Sequence, residues 1–188
     1  MAGNRIPPDT KDWTWVLGTP CPECGFVAAD VTIGQIGPAV RAGIPQWTVA
    51  LMSPGARVRP DATTWSTLEY AAHVRDVFRL FAERLALMLR EDHPTFDDWD
   101  QDAAAEAADY PSLDPMTVAV ELEESGRAVA GLFDAVQPSQ VSRTGLRSNG
   151  SEFTVLTFGQ YFLHDVVHHV HDVVEGVRDV HDLDGADA

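Results

Sequence analysis

The stretch that decides the fold is STLEYAAHVRDVFRLFAERLALM, residues 66–88. Thr64 or Ser66 can cap a helix that starts here, and His93-Pro94 marks its end. Apolar side chains recur through the stretch at steps of three and four residues, which places them on one face of an α-helix. These residues are Leu68, Ala71, Ala72, Phe78, Leu80, Phe81, Leu85 and Met88. The pattern predicts an amphipathic helix that needs partners to cover its apolar face.

Three further stretches carry a helical period, at about residues 28–52, 114–138 and 154–178. Asp114 and Pro115 are typical of a helix N-terminus. Glycine and proline interrupt the first stretch, and we expect a kink or a division there. The interrupting residues are Gly34, Gly37, Pro38, Gly43 and Pro45.

Strand signals are weak and confined to residues 141–144 and 153–157. The chain is therefore predicted to be all-α, a four-helix bundle with two long connections at about residues 91–114 and 137–153. An α/β fold would need strand signals that alternate with the helices. Long connections in a compact domain are often lids or binding loops, so we expect them to take part in function.

Composition limits the classes of partner. The chain has 188 residues, enough for one domain with a sizeable core, and a formal net charge of −16. Charge of that sign repels phosphate backbones and anionic lipid, so neither nucleic acid nor a membrane is expected as a partner. The sequence shows neither a run of apolar residues long enough for a membrane span nor a signal peptide, and we expect a cytoplasmic protein. We divide it into an N-terminal segment (1–27), a bundle (28–178) and an acidic tail (179–188) that frays.

The last helical stretch is rich in histidine. At about 100° per residue, His164, His168 and His171 lie on one face, whereas His169 points elsewhere and is expected to be dispensable for metal binding. Imidazoles at i and i+4 can share a metal, and His73, on the inward face of the second helix, is the natural third ligand. A hydrogen-bonded core histidine at position 73 and a solvated polar stripe on the last helix remain as alternatives.

Two cysteines, Cys21 and Cys24, occur in the sequence Cys-Pro-Glu-Cys-Gly. A pair so spaced can be a redox couple, half of a metal knuckle completed by histidine or carboxylate, or a tight turn with inert thiols. All three interpretations stay open, and the pair is a candidate for a second metal or redox site.

Residues 65–76, 153–155 and 164–169 resemble the DinB-like superfamily, which includes the bacillithiol and mycothiol S-transferases and the metal-binding domain of mycothiol-dependent maleylpyruvate isomerase. The resemblance covers roughly residues 28–177. It implies a four-helix bundle in which one histidine of the second helix and an H-x-x-x-H pair of the fourth bind a divalent metal. The residues that match here are His73, His164 and His168. The isomerases have a glutamate at the position of His164 and a further domain for which this chain is too short.

The resemblance implies a divalent-metal-dependent enzyme that transfers a low-molecular-weight, mycothiol-like thiol to a small electrophilic substrate. Zinc is the expected metal, with nickel or iron as alternatives. A metal-dependent hydrolase of a small molecule and a non-catalytic, stress-associated metal-binding module are the alternative functions. The oligomeric state is open, and a homodimer is compatible with the sequence.

Polar anchors for the substrate are expected in the two long connections, which must cover whichever end of the bundle is open. The predicted anchors are Trp99, Tyr110, Arg147 and Asn149, with Arg84 of the second helix beneath them.

Overall fold

The computed structural model describes residue 6 and residues 11–184, with side chains as far as residue 174. Within these limits the chain forms five α-helices. They are α1 (Ile33–Leu51), α2 (Thr67–Arg90), α3 (Gln101–Ala107), α4 (Pro115–Asp134) and α5 (Val155–Asp184). The four long helices form a bundle, so the predicted all-α fold is confirmed. Helix α5 includes most of the segment that was expected to fray, and residues 185–188 lie outside the described part. None of the described helices has the length and apolarity needed to cross a membrane.

The bundle core is aromatic. Phe133 of α4 stacks on Phe162 of α5 with ring centroids 5.4 Å apart, and Phe78 of α2 meets Phe162 edge to face. Two glycines allow the helices to approach this closely, because a Cβ at Gly126 would lie 2.8 Å from the Phe78 ring, and one at Gly159 would lie 2.8 Å from the Phe133 ring. Helix α4 packs against α1 and α2, and α5 closes the bundle against the same two helices.

Helix α1 is continuous in spite of its prolines. It begins at Ile33, after a 3-10 turn at Ala28–Asp30, and Pro38 and Pro45 lie inside it. The expected division is absent because the helix buries one whole face. Each interior proline costs about 3 kcal/mol, whereas each large apolar side chain contributes roughly 1.5–3 kcal/mol on burial. The buried apolar side chains are Ile36, Val40, Ile44, Trp47 and Leu51.

The two long connections are joined by a small sheet. Strand β1 (Thr95–Phe96) lies in the first, and β2 (Thr144–Arg147) and β3 (Glu152–Thr154) form a hairpin in the second. Strand β2 is central, parallel to β1 and antiparallel to β3. The weak strand signals at residues 141–144 and 153–157 each overlap a strand at one end only. Pairing ties both connections to the same end of the bundle.

The N-terminal segment packs against the bundle. A 3-10 turn at Trp13–Leu17 contacts α5, and Asp12 caps it by accepting a hydrogen bond from the backbone amide of Thr14 at 3.0 Å. The turn at Ala28–Asp30 also contacts α5. The residues between these turns therefore lie beside the helix that carries most of the histidines.

Glu69 is a buried carboxylate at the start of α2. Ser66 and Glu69 form a reciprocal capping box, as the cap predicted at Ser66 requires, and Arg59 donates from Nε to Glu69 Oε2 at 2.9 Å. Burial raises the pKa of Glu69, but the hydrogen bonds from Arg59 and Ser66 outweigh it and hold the pKa below its ordinary value. The ionised pair therefore stabilises the fold above the ordinary pKa, and this stabilisation is lost as the pH falls through the lowered pKa.

We predict that Glu69→Gln lowers the free energy of unfolding at neutral pH by roughly 1–3 kcal/mol, because a buried charged hydrogen-bond acceptor is lost. The difference from the wild type should shrink as the pH falls from about 5 through the lowered pKa of Glu69, below which the wild-type carboxyl group is protonated as well. Urea denaturation across this pH range measures both quantities. Glu123→Gln, which breaks an exposed pair with Arg127, is the matched control and should change little. A difference that does not vary with pH would contradict the prediction.

Candidate metal centre

Helix α5 carries two pairs of candidate ligands at i and i+4, offset by one residue. His164 and His168 form one pair, and Asp165 and His169 form the other. Because consecutive helical residues differ by about 100° in direction, the two pairs face different neighbours. One pair faces the N-terminal segment and the other faces α2.

The first group, here the His73 cluster, consists of His73 from α2 with Asp165 and His169 from α5. One potential ligand atom from each residue lies within 4.8 Å of the others. His169 Nε2 lies 2.9 Å from Asp165 Oδ1, and His73 Nε2 lies 3.8 Å from the same oxygen. Two helices thus bring two imidazoles and one carboxylate to a single point.

The second group, here the cysteine cluster, consists of Cys21, Cys24, His164 and His168, again with ligand atoms within 4.8 Å of one another. Cys21 Sγ lies 3.7 Å from His168 Nδ1. Burial raises the pKa of Cys24 to about 11, so without a cation its thiol stays protonated at neutral pH. A protonated, partly buried thiol is a poor nucleophile, which argues against a redox couple.

The predicted trio of His73, His164 and His168 is thus divided between the two groups. The sequence correctly indicates that His164 and His168 share a face of α5, but this face is directed at the N-terminal segment rather than at His73. His169, expected to be dispensable, lies beside His73 instead. The available signal was a carboxylate and a histidine at i and i+4, Asp165 and His169, beginning one residue later.

The His73 cluster fits a cation because its buried nitrogens lack partners. His73 is 1% exposed, and neither of its ring nitrogens has a hydrogen-bond partner among the described residues. A buried imidazole without hydrogen bonds lowers the stability of the fold, and a metal ion bound to its nitrogen would restore part of that free energy. His169 Nδ1 donates to Asp172 Oδ2 at 2.9 Å, which fixes the ring so that Nε2 is directed into the cluster. A carboxylate behind a histidine in this way is typical of metal sites.

The electrostatics of the cluster are those of a cation site. Burial lowers the pKa of His73, so the ring is neutral and offers a lone pair. Burial works against the charge of Asp165, yet His169 and His73 hold the pKa of this carboxyl group well below its ordinary value. Burial also opposes the charge on His169, but Asp165 and Asp172 raise the pKa of His169 to about 9. Asp165 and Asp172 thus stabilise a positive charge on His169, close to the point where a metal ion would lie.

A cavity of about 260 Å³ opens beside the cluster, with Asp165 and His169 in its wall. His164 and His168 reach the same cavity from the other cluster. Its remaining wall combines polar side chains with four aromatic rings, those of Trp13, Trp65, Tyr70 and Tyr161. Apolar rings around a polar centre are the usual form of a small-molecule site.

A second hollow, of about 570 Å³, continues from this cavity and shares Trp13, Gln101, Asp102 and Tyr161 with it. It adds Arg147 and Asn149, which lie in and beside the β2–β3 hairpin. The sheet that joins the two long connections therefore holds polar groups next to the metal cluster.

Of the five predicted substrate anchors, three line the second hollow and two do not. Trp99 stacks on His73 with centroids 5.4 Å apart and lines the second hollow, as do Arg147 and Asn149. Arg84 is buried and donates from Nη2 to a backbone carbonyl of the first long connection at 2.5 Å. Tyr110 is fully buried, and its hydroxyl donates to a carboxylate of α2 at 2.7 Å, so the phenol is already engaged.

Comparison with known proteins identifies the family and supports the fold. The family model of the DinB superfamily matches residues 40–173, and the chain belongs to this superfamily. The matched region contains the four histidines and the one carboxylate of the two clusters but neither cysteine. Among solved structures, the chain is similar to YfiT from Bacillus subtilis, with 21% identity over 81% of this chain and 86% of that one and a TM-score of 0.67. YfiT is described as a probable metal-dependent hydrolase with an unusual four-helix bundle topology. At this identity the likeness shows the fold. No curated protein matches the chain.

We predict that Asp165→Asn lowers the affinity of the His73 cluster for a divalent cation at least about tenfold, because the amide keeps the shape of the side chain but loses its charge. The measurement is a zinc titration of the chelator-treated protein against a competing indicator. His93→Ala is the control, since that imidazole bonds Thr144 in the sheet. Unchanged zinc affinity in Asp165→Asn would exclude Asp165 as a ligand.

Proposed function

We propose that this chain is a divalent-metal-dependent enzyme, with zinc held by His73, Asp165 and His169, that transfers a low-molecular-weight thiol to a small electrophilic substrate. One observation carries the proposal: three potential protein ligands meet beside a cavity, two of them, Asp165 and His169, in its wall, and no fourth such ligand joins them among the described residues. Three ligands leave a coordination position for a reactant, as in catalytic zinc sites.

A divalent metal held there supplies a Lewis acid that lowers the pKa of a thiol that coordinates it. A metal ion would displace the proton of His169, and two neutral imidazoles and one carboxylate would then leave one positive charge of a divalent cation uncompensated, which suits an anionic sulfur. Asp172 keeps His169 in the orientation that directs Nε2 into the cluster. The stacked ring of Trp99 shields His73 from water.

The two hollows provide room for two reactants. The cavity beside the cluster would hold the reacting sulfur and the electrophile, and the adjoining hollow would hold the polar body of a mycothiol-like thiol. Arg147 lies there with its Nε donating to Asn149 Oδ1 at 3.0 Å, so the guanidinium is held in place by a neighbour. A fixed guanidinium can bind hydroxyl, amide or carboxylate oxygens of such a ligand.

The transfer itself breaks the S–H bond and forms a bond from sulfur to the electrophilic carbon, while the leaving group departs with its electron pair. Tyr161 lines both hollows, and burial raises the pKa of its phenol, so the hydroxyl stays protonated at neutral pH. It is positioned to donate a hydrogen bond to the charge that develops on the substrate. The proton lost from the thiol balances the departing anion.

Two alternatives make different demands on the site. A sequestering module would close the site with a fourth ligand, but Asp172, the next carboxylate along α5, contacts the outer nitrogen of His169 instead. Hydrolysis of a small molecule is the second candidate, favoured by Asp102, a carboxylate in the cavity wall that could act as a general base. The description of YfiT as a probable hydrolase supports the same alternative.

The test is a thiol-conjugation assay on the zinc-loaded protein, with mycothiol, bacillithiol and glutathione each offered with monochlorobimane. We expect conjugation that depends on one of these thiols and falls at least about 100-fold in His169→Ala. His93→Ala is the matched control and should keep wild-type activity. Far-ultraviolet circular dichroism verifies that each variant is folded.

A parallel assay with p-nitrophenyl acetate separates the two reactions. Ester hydrolysis that requires His169, without conjugation of any thiol, would replace the transferase proposal with the hydrolase. Activity in neither assay, with the metal bound, would overturn both.

A further inference from the structure

We propose that Cys21, Cys24, His164 and His168 bind a second zinc ion, in a closed tetrahedral site that fastens the N-terminal segment to α5. The proposal goes beyond the function proposed above and uses none of the same ligands. Two cysteines from a tight turn and two histidines from a helix are the usual composition of a structural zinc site.

The sequence builds the cysteine half of this site locally. In Cys-Pro-Glu-Cys-Gly, the amide of Gly25 donates to the carbonyl of Cys21 at 3.0 Å, and the amide of Cys21 donates to the carbonyl of Phe26 at 2.9 Å. Gly25 has φ +74°, a left-handed conformation that glycine adopts without strain. This turn directs Cys21 and Cys24 towards the same side.

The histidine half comes from α5, where His164 and His168 are one helical turn apart. Bonds of about 2.0–2.3 Å to a tetrahedral zinc ion place neighbouring ligand atoms about 3.3–3.8 Å apart. The distance of 3.7 Å between Cys21 Sγ and His168 Nδ1 already agrees with this value. The other ligand atoms lie within 4.8 Å, so shifts of about 1 Å would complete the coordination.

The buried polar atoms point to a ligand. His164 is 3% exposed, and its Nε2 has no hydrogen-bond partner among the described residues. Cys21 is 2% exposed, and both cysteines are free thiols rather than a disulfide. An imidazole nitrogen and a sulfur buried side by side without strong hydrogen bonds gain most from a shared cation.

The surroundings orient the two histidines and cover them on one side. Glu23, between the two cysteines, places Oε2 3.3 Å from His168 Nε2, which leaves Nδ1 directed at the sulfurs. The ring of Trp13 lies 5.6 Å from that of His164 and 5.0 Å from that of His168, measured between centroids. A carboxylate behind a histidine and an apolar cover are what a retained metal requires.

The position of this site connects it to the cavity. Trp13 covers the two histidines and also forms the cavity wall, and His164 and His168 adjoin Asp165 and His169 in the chain. A zinc ion here would therefore hold one wall of the cavity in place without contacting a reactant. We expect the N-terminal turn at Trp13–Leu17 to lose its protection from proteolysis when this ion is removed.

Cobalt substitution distinguishes the two sites, because cysteine thiolates give a near-ultraviolet sulfur-to-cobalt charge-transfer band and the His73 cluster contains no sulfur. Reduced wild-type protein should bind two metal ions per chain and show this band. Cys24→Ser should bind one fewer ion and lose the band, while Asp165→Asn should keep it. His171→Ala, on the same helix but outside both groups, is the control and should bind two ions.

Wild-type protein that binds one metal ion without the charge-transfer band would overturn the second site and leave the His73 cluster untouched. Retention of two ions and the band in both Cys21→Ser and Cys24→Ser would do the same. Loss of the charge-transfer band only in Asp165→Asn would assign the sulfur ligands to the His73 cluster, and this result would also overturn the proposal. Thiol titration before and after chelation is a second readout, since both cysteines should react only once the zinc ion has been removed.

Discussion

The rotation of about 100° per residue along α5 is the constraint on which both candidate sites depend. It directs His164 and His168 towards the N-terminal segment and Asp165 and His169 towards α2, from a single helical turn. Neither pair can reach the partners of the other without a change of the whole helix. A closed Cys₂His₂ group and an open group of two histidines and one carboxylate are thus held in fixed relation by one rigid element.

Burying this many polar groups is costly, and the rest of the fold must offset it. The aromatic core around Phe78, Phe133 and Phe162 lies directly below the histidines on the bundle helices and supplies apolar burial at the closest helix approaches. Glycines at positions 126 and 159 make those approaches possible. The two clusters can then contain imidazoles whose nitrogens lack hydrogen-bond partners, because apolar packing stabilises the bundle beneath them.

The cavity draws its walls from segments that are far apart in the sequence. Trp13 comes from the N-terminal segment, Gln101 from α3 in the first long connection, and Tyr161 from α5. The three-stranded sheet holds the two connections together, so Trp99 and Arg147 lie at neighbouring points of the adjoining hollow. Segments that are distant in the sequence thus form the walls of the cavity and of the adjoining hollow, because each segment packs against α5 or belongs to the sheet.

The sequence by itself determined the four long helices, the caps at Ser66 and Asp114, and the face shared by His164 and His168, because these depend on spacing within a few residues. It also indicated that His73 lies in the interior. Only the tertiary structure decided which face of α5 meets α2. That choice follows from the packing of side chains on all four helices, and it turns Asp165 and His169, rather than His164 and His168, towards His73. The same packing places Cys21 and Cys24 opposite a pair of histidines more than 130 positions away along the sequence, a distance over which no local pattern carries information.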